Sequence, residues 1–558
     1  MMRPGHPVRI ETPPWSPADC PTLSDLVARR AAAEPDGVYF TLFGTPLTAG
    51  RLHATSLRYA GALRELGIGP GDKVAIVLPT CEEFFFSFFG ALALGAVPVP
   101  LYPTLDPELK ARVFQSCEAR AVVTIDWFRA DVEAARGGAP DLRHLLTPDV
   151  LDAGRAVSAP IQAAEDEVCF LQYTSGSTSV PRGVVLSHRN VMATVRMMVE
   201  AVGVTPPDRL VSWLPLYHDM GLIGLAFGAL YTGAALVLLP PDLRSPRTWL
   251  EAITEHRAHL TVSPDFGYRN CVRHIHDTTG LDLSSLRMAL SGAEPIRLST
   301  IRAFQERFGV GDIFAPAYGL AEATLAVAVW PHGQPVRVDA TGSFVSVGRP
   351  CRGVQVEIAG PDGVGRAPAG EVGEVLVKSP GVMQGYYRDP EATARALRDG
   401  WLHTGDFGFL DAEGYLFITG RIKDVIIVGG QNIVPGDVEE AVDHVAGIRY
   451  SAAIGIESER TGTQRLHVVA EVRADDLAPA DLSRIAHDVT QAVRQRSGLR
   501  PARVLLVRPQ TIPKTSSGKI QRSALATMVA AGRLDDRVLH HRGAASHDAA
   551  GDRPSSHH

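Results

Sequence analysis

Two segments collect hydroxyls, glycines and a cation at spacings that suit the handling of anions. The first reads Tyr173-Thr-Ser-Gly-Ser-Thr-Ser-Val-Pro-Arg-Gly183. Hydroxyls on Thr174, Ser175, Ser177 and Thr178, with the backbone amides of the turn at Gly176, make a loop able to wrap phosphate oxygens. It is not a Walker loop, because G-x-x-x-x-G-K-[ST] does not match here. The competing structural reading is a Ser/Gly-rich surface linker. The second segment is Pro513-Lys-Thr-Ser-Ser-Gly-Lys519-Ile-Gln-Arg522. A lysine on a glycine-preceded loop delivers a mobile point charge to an anion, where arginine would be more rigid. Ser516 and Lys519 also fit an S-x-x-K pattern, but its companion Ser-Asp-Asn and Lys-Thr-Gly elements do not occur. A solvated basic loop is the plain alternative.

The elements that must position these loops are legible around them. An apolar run at 168–172 precedes the first loop and another at 184–186 follows it. Short, often β-branched runs at 74–78, 122–125, 210–214, 235–239, 260–263 and 288–290 alternate with helical segments such as 52–66 and 298–308. Continuous apolar strands between helices predict parallel sheets covered on both faces. After about residue 342 the texture changes to short strands, at 345–348, 354–359, 374–377 and 415–419, separated by Gly and Pro turns. From about 421 a helix at 437–444, strands at 452–456, 467–472 and 504–507, and a helix at 482–496 predict a compact α+β unit. The expected division is therefore an N-terminal domain over 1–420, with a β subdomain at about 342–420, and a C-terminal domain over 421–535. The polar stretch 543–558 is expected to be a disordered tail.

Composition excludes several classes. The 558-residue chain carries 45% hydrophobic and 21% charged residues, ample for large cores and against intrinsic disorder. Its net charge of −6 argues against a nucleic-acid partner held by bulk charge. Six cysteines without a C-x-x-C pair speak against a zinc ribbon or disulfide scaffold and for a reducing cytoplasm. No secretory signal is read in the first thirty residues. The uncharged stretches 84–101 and 221–239 are broken by glycine and proline, so each reads as a buried helix, a glycine stop and a buried strand rather than a membrane span.

Taken in order, TSGSTSVPRG (174–183), SWLPLYHDMG (212–221), SGAEPI (291–296), YGLAEAT (318–324), WLHTGD (401–406), GRIKD (420–424) and PKTSSGKIQR (513–522) resemble the adenylate-forming superfamily. Acyl-CoA synthetases, nonribosomal-peptide adenylation domains and luciferases belong to it. The resemblance spans about residues 20–530. LQYTSGST, SWLPLYHDMGL and YGLAEATL are most similar to fatty acyl-AMP ligases and related acyl-CoA synthetases.

The resemblance implies an α/β fold: a large N-terminal domain of parallel helix-covered sheets plus a β subdomain, and a small mobile α+β C-terminal lid. It also implies roles. Thr174, Ser175, Gly176, Ser177, Thr178, Arg182 and Gly183 would hold the β- and γ-phosphates of ATP. Gly292, Ala293 and Glu294 would line the adenine, with Tyr318, next to Gly319, stacking on it. Glu322 would bind Mg²⁺, Asp406 the ribose hydroxyls with help from Arg421, and Lys519 would bridge the substrate carboxylate and the α-phosphate. His218 would border the acyl or thiol channel, although a histidine on an apolar segment is also an ordinary packing residue. Lys423, otherwise an exposed lysine, would be the hinge, and Gly429 and Gly430 would face pantetheine.

The implied function is a soluble, cytoplasmic, ATP- and Mg²⁺-dependent acid–thiol ligase acting on a hydrophobic carboxylic acid. Its acceptor would be CoA or the phosphopantetheine of an acyl-carrier protein. Two departures bear on this. Ala321 stands before Glu322, as in the fatty acyl-AMP ligases, where many superfamily members have threonine, so one phosphate hydroxyl contact is lost or supplied elsewhere. The run 330–346 leaves little room for the extra segment of typical fatty acyl-AMP ligases, a segment thought to hinder free CoA. That tips the expectation towards CoA; the rivals are an acyl-AMP ligase serving a carrier protein and an inactive nucleotide-binding homologue.

Overall fold

A computed structural model describes residues 16–174, 181–241, 245–342, 344–360, 365–421, 424–428, 431–458, 463–473, 477–514 and 520–543. The sequence expectations for Ser175, Gly176, Ser177, Thr178, Lys423, Gly429, Gly430, Lys519 and the 544–558 tail lie outside these residues. The chain separates into two compact units, one over 1–404 and 408–418, the other over 405–407 and 419–558.

The first unit is built on a nine-stranded sheet. Strands Val38–Leu42, Ala235–Leu238, Arg209–Ser212, Leu260–Ser263, Met288–Ser291 and Phe314–Gly319 run parallel side by side. Antiparallel strands Thr45–Thr48 at one edge and Ala326–Val329 with Arg349–Pro350 at the other complete it. A second, all-parallel sheet orders Val97–Pro100, Lys73–Val77, Ala119–Thr124 and His144–Leu146. Its helix Glu82–Ala93 is apolar all round after its first turn and is correspondingly buried. There Phe85 stacks on Phe40 at 4.4 Å between ring centroids, and Phe88 meets Phe170 and Phe227 edge-on or tilted.

The two suspect apolar stretches resolve as helix, glycine and strand. Helix Glu82–Ala93 ends near Gly95 (φ +66°) before Val97–Pro100, and the π-helical turn Met220–Phe227 runs through Gly228–Thr232 to Gly233 (φ +85°) before Ala235–Leu238. Among the described residues, no helix is long and apolar enough to cross a membrane.

A five-stranded sheet containing Gln355–Ile358, Gly373–Lys378, Trp401–Leu410 and Leu416–Arg421 forms the β-rich region. One strand expectation fails here. Residues 345–348 make only isolated bridges, Val345 to Val338 and Ser346 to Phe417. The cause is local: Ser346 Oγ accepts from Gly348 N at 3.2 Å, and Gly348 turns at φ +90° so close to Val329 that a Cβ would overlap its carbonyl.

In the second unit, Ile448–Ser458, Thr463–Val472, Arg503–Val507 and Val538–Gly543 form one sheet, its central pair parallel. Helices Pro435–Asp443 and Pro479–Ser497 supply one core with Val438, Val442, Ile485 and Val489, while Leu525 and Val529 of Arg522–Ala530 serve a second. The last strand extends past the expected boundary at 535. Its Val-Leu-His-His-Arg-Gly sequence carries little strand signal, and the neighbouring Arg503–Val507 supplies the pairing that makes it one.

Candidate active site

Four parallel strands of the large sheet end on one side, and three of them deliver a sequence-predicted segment there. Arg209–Ser212 leads into the run ending at His218, and Leu260–Ser263 into Asp265. Met288–Ser291 leads into Gly292, Ala293 and Glu294, and Phe314–Gly319 contains Tyr318. The carboxyl ends of parallel strands are where open α/β sheets place ligands, because the loops there diverge and leave a crevice. Parallel register sets Ser291 against Pro316, so the Gly292 turn and Tyr318 start from neighbouring strand ends. Gly319 is required: a Cβ would lie 1.6 Å from the Leu325 carbonyl oxygen.

Glu322 sits on the one-turn 3₁₀ helix Ala321–Ala323. That turn ends at Thr324, a buried β-branched residue held at φ +66°, where such side chains are strained. Two bonds hold it: Thr324 Oγ1 donates to Gly381 O at 2.6 Å, and Met383 N donates to Glu322 O at 2.8 Å. The Glu322 carboxylate accepts the Tyr386 hydroxyl at 2.8 Å through Oε1. Burial, and then the Glu322 charge, push the Tyr386 phenol well above its ordinary range, so it stays a donor.

The described residues on either side of the phosphate-loop candidate are paired strands. Val168–Tyr173 pairs antiparallel with Gly183–Ser187, and Thr174 N donates to Arg182 O at 3.1 Å across its neck. Gly385–Tyr386 adds a third strand beside Val184 and Val185. The Arg182 guanidinium lies 5.5 Å from the centroid of the Tyr386 ring and 3.4 Å from Asp389. Tyr386 thus links the loop root to Glu322. On the other side Gln172 Nε2 donates to Tyr217 O at 3.2 Å, tying the root to the His218 segment. His218 Nδ1 lies 2.6 Å from Asp219 Oδ1, and Asp219 Oδ1 also accepts from Met220 N at 2.7 Å, so the histidine is held at the start of the Met220–Phe227 turn.

Two carboxylates stand side by side behind the adenine candidates. Asp265 opens helix Asp265–His274, is buried, and accepts from Arg297 N at 3.1 Å and Thr300 Oγ1 at 3.2 Å. Glu294 Oε1 accepts from Phe266 N at 2.5 Å. Burial first, and then the Asp265 charge, push Glu294 up to about 7. Asp265 is also raised by burial, opposed by Arg269 and Arg297. Together they pin the 292–297 turn to the helix that follows Leu260–Ser263.

In the second unit, Asp406 is buried and Arg421 Nε lies 3.0 Å from its Oδ1. This unites two sequence-predicted residues fifteen positions apart. Sequence reasoning passed over Tyr386, Gln172, Asp389 and the anchoring role of Asp265. The only local signal near Tyr386 was Asp389-Pro390, which caps helix Pro390–Ala396 and carries no hint of the Glu322 contact.

The AMP-binding enzyme family matches residues 27–387. The 4-hydroxyphenylalkanoate adenylyltransferase of Mycobacterium tuberculosis is 32% identical, covering 93% of this chain and 92% of its own. The long-chain-fatty-acid–AMP ligase FadD26 of Mycobacterium marinum is 34% identical over 90% of this chain and 96% of its own. Among solved structures, one from a study of fatty acyl-adenylate ligases from E. coli and L. pneumophila superposes with a TM-score of 0.85. It is 31% identical and covers 94% of this chain and 100% of that one.

Proposed function

The chain belongs to the AMP-binding enzymes, and on that premise we propose that it activates a hydrophobic, fatty-type carboxylic acid with ATP and passes the acyl group to a pantetheine thiol. The observation that carries this reading is the convergence of the Gly292, Tyr318 and His218 segments on one side of the sheet, with Glu322 bound through Tyr386 to the root of the 174–183 loop.

In the first step a carboxylate oxygen of the acid bonds to the α-phosphorus, and the bond to pyrophosphate breaks. Two anions approach each other, so cations aimed at the developing charge lower the barrier. Lys519 supplies one, and Arg182 and the hydroxyls of the 174–178 loop hold the departing phosphates. Mg²⁺, when bound, neutralises phosphate oxygens. Glu322 fits it: one carboxylate plus substrate phosphates is an ordinary magnesium set, and among the described residues Oε1 is oriented by Tyr386 while Oε2 accepts no hydrogen bond. Tyr318 stacks on adenine, and Asp406 with Arg421 takes the ribose hydroxyls. In the second step the thiol sulfur bonds to the acyl carbon and AMP leaves, with the C-terminal unit turned about Lys423 and the Gly429–Gly430 loop facing pantetheine.

The walls of the acyl site are assigned to the apolar π-helical turn Met220–Phe227 and to the 263–268 segment, both largely apolar. Asp265 already accepts from Arg297 N and Thr300 Oγ1, one on each oxygen, which favours an uncharged acyl chain over an amino acid. Free CoA is slightly favoured as acceptor because the short 330–346 run leaves little room for an added segment. A carrier-protein acceptor is the second reading, favoured by the resemblance to a fatty-acid–AMP ligase.

The test is mass spectrometry of the protein with Mg-ATP and a panel of fatty and aryl-alkanoic acids, alone, with CoA, or with a phosphopantetheinylated carrier protein. Acyl-CoA at turnover supports the first reading. Acyl-AMP that persists with CoA and is consumed by the carrier supports the second. No acid-dependent pyrophosphate release would overturn both.

A further inference from the structure

The second unit contains a half-buried charge cluster that none of the roles above uses. Arg522 is the first residue of helix Arg522–Ala530 and lies three positions after Lys519. Its Nε and Nη2 donate to both oxygens of Glu439, at 3.0 and 2.7 Å. Its Nη1 donates to Asp424 Oδ2 at 3.2 Å. The Arg522 side chain is 18% exposed and that of Glu439 4%. Glu439 Oε1 also accepts from Ala453 N at 3.0 Å, which fastens the cluster to the edge strand Ile448–Ser458.

Each partner stands at the root of a loop that matters. Asp424 immediately follows Lys423, and its own N–H donates to Arg421 O at 3.0 Å. Upstream of Arg522, Lys514 and Ile520 form an isolated antiparallel bridge, and Gln521 N donates to Pro513 O at 2.9 Å. These bonds close the neck of the 515–519 loop directly beside Arg522. One guanidinium therefore ties the segment leaving Lys423 and the neck of the Lys519 loop to the same buried carboxylate.

Simple stabilisation is a weak account of such a cluster. Desolvating a guanidinium and its carboxylates costs about what their attraction returns, and apolar packing would serve as well. What a bidentate fork supplies in addition is fixed geometry. We propose that Arg522 is a positioning residue that fixes Asp424, the residue after the hinge position, against the neck of the catalytic-lysine loop at 513–514 and 520–521, so that the point from which Lys519 is presented is set relative to the hinge. The proposal rests on the reading of Lys519 as the adenylation lysine and Lys423 as the hinge.

The test uses the full chain and three variants. Arg522→Lys keeps the charge and loses the fork; Glu439→Gln keeps the shape and loses the ion pair; Asp424→Asn removes only the hinge arm. ATP–pyrophosphate exchange gives kcat and the KM for ATP, and hydrogen exchange reports the local amides. A loop displaced by about an ångström costs on the order of 10²-fold in kcat, with KM for ATP unchanged. Amides at 424–428 and 520–525 should exchange faster while those of 466–472 and 504–507 keep their protection. Unchanged kcat in all three variants would overturn the proposal. So would protection lost evenly through the C-terminal unit, the mark of a merely structural cluster. Lys519→Ala separates the premise: if it leaves pyrophosphate exchange intact, the reading of Lys519 fails, whatever Arg522 does.

Discussion

Tyr386 donates its phenolic proton to Glu322 across 64 positions of sequence, at 2.8 Å. The same ring carries the Arg182 guanidinium on its other flank, and its backbone pairs with Val184 just past the phosphate-loop candidate. One tyrosine therefore orients the carboxylate read as the metal ligand and packs on Arg182 and the strand that follows the segment read as the phosphate cradle.

Tyr386→Phe keeps the ring under Arg182 and removes only the hydrogen bond. Losing an outer-sphere partner of a metal ligand costs about 10–100-fold in metal affinity. The Mg²⁺ concentration for half-maximal pyrophosphate exchange should rise by about that factor, with kcat at saturating Mg²⁺ little changed. Mn²⁺ binding followed by electron paramagnetic resonance, in the presence of ATP, checks the affinity directly. Unaltered binding would remove Tyr386 from the site.

Asp406→Asn removes a charged acceptor. A hydrogen bond to a charged group contributes about 1.5–3 kcal/mol, roughly 10–100-fold in KM for ATP. The acid's KM should stay put. A comparison of ATP with its 2′- and 3′-deoxy forms provides the check, since the variant should lose the wild type's discrimination between them.

Asp265→Ala should destabilise the first unit by about 3 kcal/mol, because it strands two buried donors, Arg297 N and Thr300 Oγ1. Asp265→Asn retains an acceptor and should cost less than half as much. Urea denaturation of both variants measures the difference; equal losses would mean the hydrogen bonds are not what the aspartate contributes.

Glu294 gives a pH signature. Its carboxyl is raised to about 7 by burial and by Asp265, above an unfolded value of about 4.3. Between those values the folded protein holds a proton that the unfolded chain releases. This contribution to stability is full below about pH 4.3, declines as pH rises, and is gone above about 7. Glu294→Gln cannot ionise, so the stability of the variant relative to wild type should climb from pH 5 to pH 7.5. Denaturant midpoints at the two pH values test the sign.

Much of the fold was legible because its signals are local. Leu260–Ser263 and Leu298–Phe308 fall where β-branched runs and helical periodicity put them. The helix–glycine–strand reading of the two apolar stretches held, since glycine is the residue that turns left-handed at low cost at a helix end. The strand at 345–348 failed because a serine side chain competes with the ladder. Val538–Gly543 was missed because a neighbouring strand, and not its own composition, makes it extended.

The sequence by itself determined the ordered set of loops: hydroxyls and glycines at 174–183, the SGAEPI and YGLAEAT turns, Asp406 and Lys519. These are chemical identities at short spacings, and short spacings are what a linear pattern records. Only the tertiary structure decided that Tyr386 orients Glu322, that Asp265 is committed to Arg297 and Thr300, and that Arg522 binds Asp424 and Glu439. Each of those contacts joins segments 32 to 98 residues apart. Their partners are chosen by strand order and sheet register, which arise from packing the whole core and leave no mark in any one stretch of chain.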